Sequence, residues 1–144
     1  LACDIVFASK SSAFIQAFSK IGLIPDSGGT FFLPRLIGLQ KAAALMMLGD
    51  KVGGEEAAAM GMIYKCVEDD VLISEAYKTA VALAQMPTKG IGLTKRLLNQ
   101  SMNNDLEQQL TAEEMIQAEA GMSKDHKEGV AAFLEKRKPV FTGE

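Results

Sequence analysis

The strongest constraint on this chain is the order of its periodicities. Short apolar runs come first, and segments with helical spacing follow almost without a break. Ile5 to Ala8 reads as a buried strand closed by the polar stretch Ser9 to Ser12, and Ala13 to Gln16 as a second short strand. Gly22 to Gly29, with Pro25, Asp26 and a Gly-Gly pair, reads as a loop. A helix is expected from Ser27 or Gly28 to about Leu36, with Asp26 as its N-cap. Helices are also expected over Leu39 to Leu48, stopped by Gly49, and over Glu55 to Met60, stopped by Gly61. Ile63 to Val67 returns to strand. Asp69-Asp70 opens a helix through Ala84 that sets Leu72, Ala76, Ala80 and Leu83 on one face. Pro87 suits the first turn of a helix to about Met102. Leu106 to Ala120 and Lys124 to Leu134 complete the series, and Pro139 ends regular structure. Strands early and helices late specify an α/β core followed by a helical C-terminal region.

With 144 residues the chain is long enough to bury a core. A net charge of −3 and only one short basic cluster, Lys136 to Lys138, lack the electrostatic footprint of a nucleic-acid binder. No apolar run reaches the roughly 18 residues of a membrane span, and a reducing cytoplasm is the expected location. Cys3 and Cys66 lie in apolar, strand-like stretches and are expected to be buried free thiols. The chain opens at Leu1 inside a hydrophobic run, so further residues of the same fold are expected upstream.

The segment with the most chemistry runs from Gly22 to Thr30 and on through Phe31-Phe32-Leu33-Pro34-Arg35. Its glycines allow close backbone approach to a ligand, and a helix N-terminus favours negative charge beside it. Asp26, flanked by Leu23 and Ile24 with Phe31 downstream, is the candidate base, because a carboxylate in apolar company is more basic than one in water. By residue type alone Asp26 is first a plain N-cap, because Asp before a helix is common.

An ordered series of marks spans nearly the whole chain. They are Ala2-Cys3-Asp4-Ile5, Gly22 through Thr30, Leu33 to Gly38, Ala42 to Gly49, Glu56-Ala57, Gly61-Met62-Ile63, and Phe133 to Arg137 with Pro139 and Phe141. In this series the chain resembles the C-terminal portion of the crotonase (enoyl-CoA hydratase/isomerase) superfamily. The resemblance implies an α/β, ClpP-like crotonase fold. Residues 1–85 would form the C-terminal part of the core, and residues 86–144 a helical region for trimerisation and for covering coenzyme A. It implies an acyl-CoA thioester as substrate, coenzyme A entering as part of that substrate with no separate cofactor, and homotrimers or hexamers. It also implies two backbone N–H donors that stabilise an enolate oxygen, both expected upstream of Leu1.

Within the family, hydratases use two acidic residues. The position of the second falls here on Phe18, which cannot transfer a proton. Asp26 stands where several family isomerases carry Asp. The resemblance therefore implies an isomerase with Asp26 catalytic and Phe18, Ile24, Pro25 and Phe31 lining the acyl pocket. The loop is most similar to isomerases that open an epoxide-bearing aromatic ring. Lys136, Phe133 and Phe141 are implied to contact coenzyme A. A hydratase or dehalogenase of the same family, and a non-catalytic oligomerisation module, are the alternatives. His126, the only histidine, reads as solvent-facing among Lys124, Asp125, Lys127 and Glu128, and one His with two distant Cys makes no metal site. Asp4 reads as structural, and the pairs Glu55-Glu56, Asp69-Asp70 and Glu113-Glu114 as helix-start and surface charges.

Overall fold

In the computed structural model, which describes residues 1–144, strand β1 is Phe7–Ser9, later than hydropathy alone places it. Its limits are set by its partner, β4 (Lys65–Val67), with which it pairs in parallel, Phe7 to Lys65 and Ser9 to Val67. Cys3 to Ile5 form bends instead, and Cys3 is exposed; the buried position expected for it depended on a strand that is not there. Cys66, on β4, is half-buried, and both thiols are free. Strand β2 (Ala13–Ile15) pairs antiparallel with β3 (Lys51–Gly53), a strand with one apolar residue that only pairing reveals.

The segments between these strands are helical. A 3₁₀ turn covers Ala17–Ile21, α1 runs Gly29–Ile37, α2 Leu39–Leu48 and α3 Gly54–Ala59. Helix α1 turns Leu33 and Ile37, four residues apart, toward the core. There they join Ala8, Ala42, Val52, Ala57, Met62 and Ile63. Leu33 is the one large side chain that is fully buried. The tightest approach is at Gly54. A Cβ there would lie 2.4 Å from the Ser9 carbonyl oxygen and 2.9 Å from Cys66 Sγ, so β1, β4 and α3 converge on an absent side chain.

The residues group into two compact units, Leu1–Ala76 and Tyr77–Glu144. Helix α4 (Leu72–Ala84), entered through a 3₁₀ turn at Asp69–Val71, runs from one into the other. The second unit continues with α5 (Thr88–Ser101), α6 (Leu106–Gly121) and α7 (Lys124–Leu134). Pro87 is the N-cap of α5 rather than its first helical residue; its carbonyl accepts the Ile91 N–H at 3.1 Å. Helix α6 starts in a reciprocal cap. Asp105 accepts the Gln108 N–H at 2.8 Å, and the Gln108 side chain accepts the Asp105 N–H at 3.0 Å. Leu93, Ile116 and Ala132 are the buried apolar residues of this unit. No helix is long and apolar enough to cross a membrane.

Replacing Gly54 by Ala sets a methyl group against backbone that cannot step aside. The expected cost is about 3 kcal/mol, read as a lower urea midpoint with an unchanged slope.

Candidate functional site

The Asp26 loop is held at both ends by backbone hydrogen bonds. Leu23 N–H donates to the Phe18 carbonyl at 2.9 Å, which ties the loop to the 3₁₀ turn that carries Phe18. Gly29 N–H donates to the Asp26 carbonyl at 2.8 Å and closes a tight turn whose two central residues, Ser27 (φ 50°) and Gly28 (φ 78°), both have positive φ. A side chain at Gly28 would also meet the Phe32 ring at 2.9 Å. This geometry overturns the expectation that Asp26 caps α1. The N-cap is Gly28, and no side chain caps the helix. Two left-handed residues in succession carry the Asp26 carboxylate away from the α1 N–H groups it would otherwise bind.

Asp26 is exposed and lines none of the well-formed clefts of the structure. Around it the surface is apolar: Leu23 is exposed and Ile24 is 81% exposed. Phe31, at the start of α1, is partly covered by its neighbours. Its ring meets Phe32 edge-on at 5.3 Å between centroids, and the Arg35 guanidinium lies 3.7 Å over its face. Pro25 and Phe18 are half-buried. The loop with Ile24, Pro25 and Asp26 is thus tied to the turn that carries Phe18, and neither these four residues nor Phe31 line those clefts.

A well-formed cleft belongs to the second unit. It measures about 660 Å³ and is lined by Pro87, Gln117, Gly129, Phe133 and Phe141, among others. His126 is exposed, as expected, and also lines this cleft. Two of the three residues expected at coenzyme A, Phe133 and Phe141, therefore face one cavity. The third, Lys136, does not line it. Lys136 has φ 55° and occupies the left-handed position after α7 where glycine is usual. Its N–H donates to Phe133 and that of Arg137 to Ala132, which ends the helix in a Schellman turn.

Beyond this turn the tail is pinned by charge. Arg137 grips Glu128 through both guanidinium nitrogens, at 2.5 and 2.8 Å, and Val140 N–H donates to Glu128 at 2.8 Å. The Arg137 contact, followed by the Val140 amide, lowers the Glu128 pKa from the usual carboxylate range to about 2. Asp125 is buried, against the reading of its neighbourhood as a solvated face. No group of His, Cys, Asp and Glu is arranged to hold a metal ion.

Comparison with known proteins matches residues 1–144 to the family described as Enoyl-CoA hydratase/isomerase. The 1,2-epoxyphenylacetyl-CoA isomerase of Escherichia coli (strain K12) is 48% identical over 140 residues, 97% of this chain and 53% of the relative. A Rhodobacter capsulatus protein named "Probable enoyl-CoA hydratase" is 44% identical over 143 residues, 99% of this chain and 56% of that protein. The crystal structure of enoyl-CoA hydratase from Bacillus anthracis superposes with a TM-score of 0.95 at 31% identity, covering 99% of this chain and 55% of that one. The chain spans about half the length of the relatives it matches.

Two outcomes follow from this geometry. Gly28→Ala, which forces a side chain into the left-handed region and against Phe32, costs about 1–2 kcal/mol, whereas Ser27→Gly is neutral or stabilising; thermal unfolding distinguishes them. The Glu128 pKa is depressed on folding, so its contribution is complete above about 4.5 and is lost as pH falls through about 2. The Val140 amide resonance should stay fixed from pH 7 down to about 3 and shift as Glu128 takes up its proton near pH 2.

Proposed function

The chain belongs to the enoyl-CoA hydratase/isomerase family, and from that premise we propose that it forms the C-terminal portion of an acyl-CoA isomerase with Asp26 as its proton carrier. The observation that carries this reading is a single carboxylate beside a non-acidic position. The loop that carries Asp26 is tied through the Leu23 N–H to the turn that carries Phe18, and Phe18 cannot be the second acid that hydration needs. The 48% identity to the E. coli isomerase supports the same direction and makes an epoxidised aromatic acyl-CoA the first substrate to test, with an unsaturated acyl-CoA the second.

In a double-bond shift, the Asp26 carboxylate takes a proton from the carbon beside the thioester. The electron pair moves onto the thioester oxygen, where backbone N–H donors of the complete protein hold the enolate. The protonated Asp26 then returns the proton two carbons further along, and the carboxylate is regenerated. No water enters and none leaves. Phe18, Ile24, Pro25 and Phe31 are assigned to the apolar wall of this site. An exposed carboxylate is a weak base, so the mechanism requires the rest of the protein to cover the Leu23 and Ile24 surface. Lys136, Phe133 and Phe141 are assigned to coenzyme A, with the phenyl rings in the cleft and the ammonium at its phosphates. Residues 86–144 then serve for covering the cofactor end of the substrate and for association into trimers.

Hydration is the second reading, because the Rhodobacter relative of near-equal identity carries a hydratase name. Asp26→Asn in the full-length protein separates the two. For the isomerase, deuterium incorporation from solvent into the acyl-CoA falls by about 10²- to 10⁴-fold while acyl-CoA binding persists. Undiminished exchange, or hydration that survives the substitution, would overturn the proposal.

A further inference from the structure

Asp125 is a carboxylate with 3% of its surface exposed, in the first turn of α7, and the chemistry proposed above makes no use of it. A charge at that depth needs strong partners, and both of its oxygens have one. Oδ1 accepts the Thr142 N–H at 2.7 Å and Oδ2 the Gly143 N–H at 2.9 Å. Its own N–H donates to the Glu144 carbonyl at 3.0 Å. The C-terminal tail is thereby folded back along α7, and Glu128 holds the start of the same tail through Val140.

Phe141 stands between the two tie points. Its ring lies 3.6 Å from where a Cβ on Gly129 would be, so the bare backbone of α7 is the seat of the ring. Further along, Gly143 has φ 80°, and a Cβ there would come within 2.5 Å of Thr88 Oγ1; the tail runs hard against the start of α5. Phe141 follows the turn by several residues, lies outside any helix and is half-buried, with the chain tied down on both sides of it.

We infer that Asp125 is a positioning residue that latches the C-terminal tail and so holds Phe141 as a fixed wall of the cleft it shares with Phe133 and His126. That the cleft takes the aromatic end of coenzyme A rests on the function proposed above. The latch itself does not.

The test uses the full-length protein with Asp125→Asn, Asp125→Ala and Phe141→Ala. Amide exchange at Thr142 and Gly143 should rise at least about tenfold in Asp125→Ala while Ile116 keeps its protection. If the alanine variant fails to fold, Asp125→Asn carries the test. Its oxygen can still serve Thr142, but its amide opposes Gly143, so the Gly143 N–H exchanges faster. Titration with desulfo-coenzyme A should show weaker binding in Asp125→Asn and Phe141→Ala. The acyl-CoA KM should rise in both with little change in kcat, and the two losses should not add in the double variant. Faster exchange with unchanged affinity sustains the latch and removes coenzyme A from the cleft. Unchanged exchange at both tail amides overturns the latch, whatever the affinity.

Discussion

The first unit depends on the burial of Leu33. It is the only large side chain taken fully out of water, and it lies mid-way along a nine-residue helix with little else to hold it. Pro34, inside that helix, removes one backbone donor, and no side chain caps its start. Burying Leu33 and Ile37 fixes the rotation of α1. That rotation leaves Phe31, Phe32 and Leu36 outward and sets where Gly29 begins. The Asp26 turn is joined to Gly29 by one backbone hydrogen bond. A small core therefore determines where the candidate catalytic carboxylate stands, although no atom of Asp26 belongs to that core.

The sequence could be read wherever a glycine or a cap marked a boundary. Helix α2 lies between Gly38 and Gly49, and both ends agree with the periodicity. Helix α7 opens on Ser123, whose hydroxyl accepts the His126 N–H, and its expected limits hold as well. Strands of three residues were harder to read, because their existence depends on a partner distant in the chain. Hydropathy gives Lys51–Gly53 nothing to distinguish it from a loop until Ala13–Ile15 lies beside it. The Asp26 turn was misjudged for a local reason. Asp before a helix reads as an N-cap, but Ser27 in a left-handed conformation is a choice no propensity favours, and it re-aims the carboxylate. Asp125 was hidden by its company. Within Lys124-Asp125-His126-Lys127-Glu128 each charge supports the reading of a solvated face, and the partners that bury one of them lie 17 and 18 residues away.

The second unit shows a different economy. Only three of its apolar side chains are buried, while Leu106, Met115, Met122, Phe133 and Leu134 lie open. Polar ties hold its ends: the reciprocal cap of α6, Arg96 on Glu119 at 3.2 Å, Arg137 on Glu128, and the Asp125 latch. Exposed pairs such as Arg96–Glu119 add little to stability, so the specificity of this unit rests on the bidentate and buried ties near its terminus. Apolar surface on this scale is what association or ligand binding uses.

The choice between isomerase and hydratase then turns on water. Hydration must admit a water molecule and hold it between two acids. A proton shuttle through one carboxylate works best with water excluded, because a solvated aspartate is too weak a base to attack carbon next to a thioester. Phe18 and Ile24 are poor hosts for a water molecule and good walls against one. Ile24 lies 81% exposed beside the one acid of the loop. On the proposed reading, one covering surface would both bury the apolar loop and make its aspartate a base.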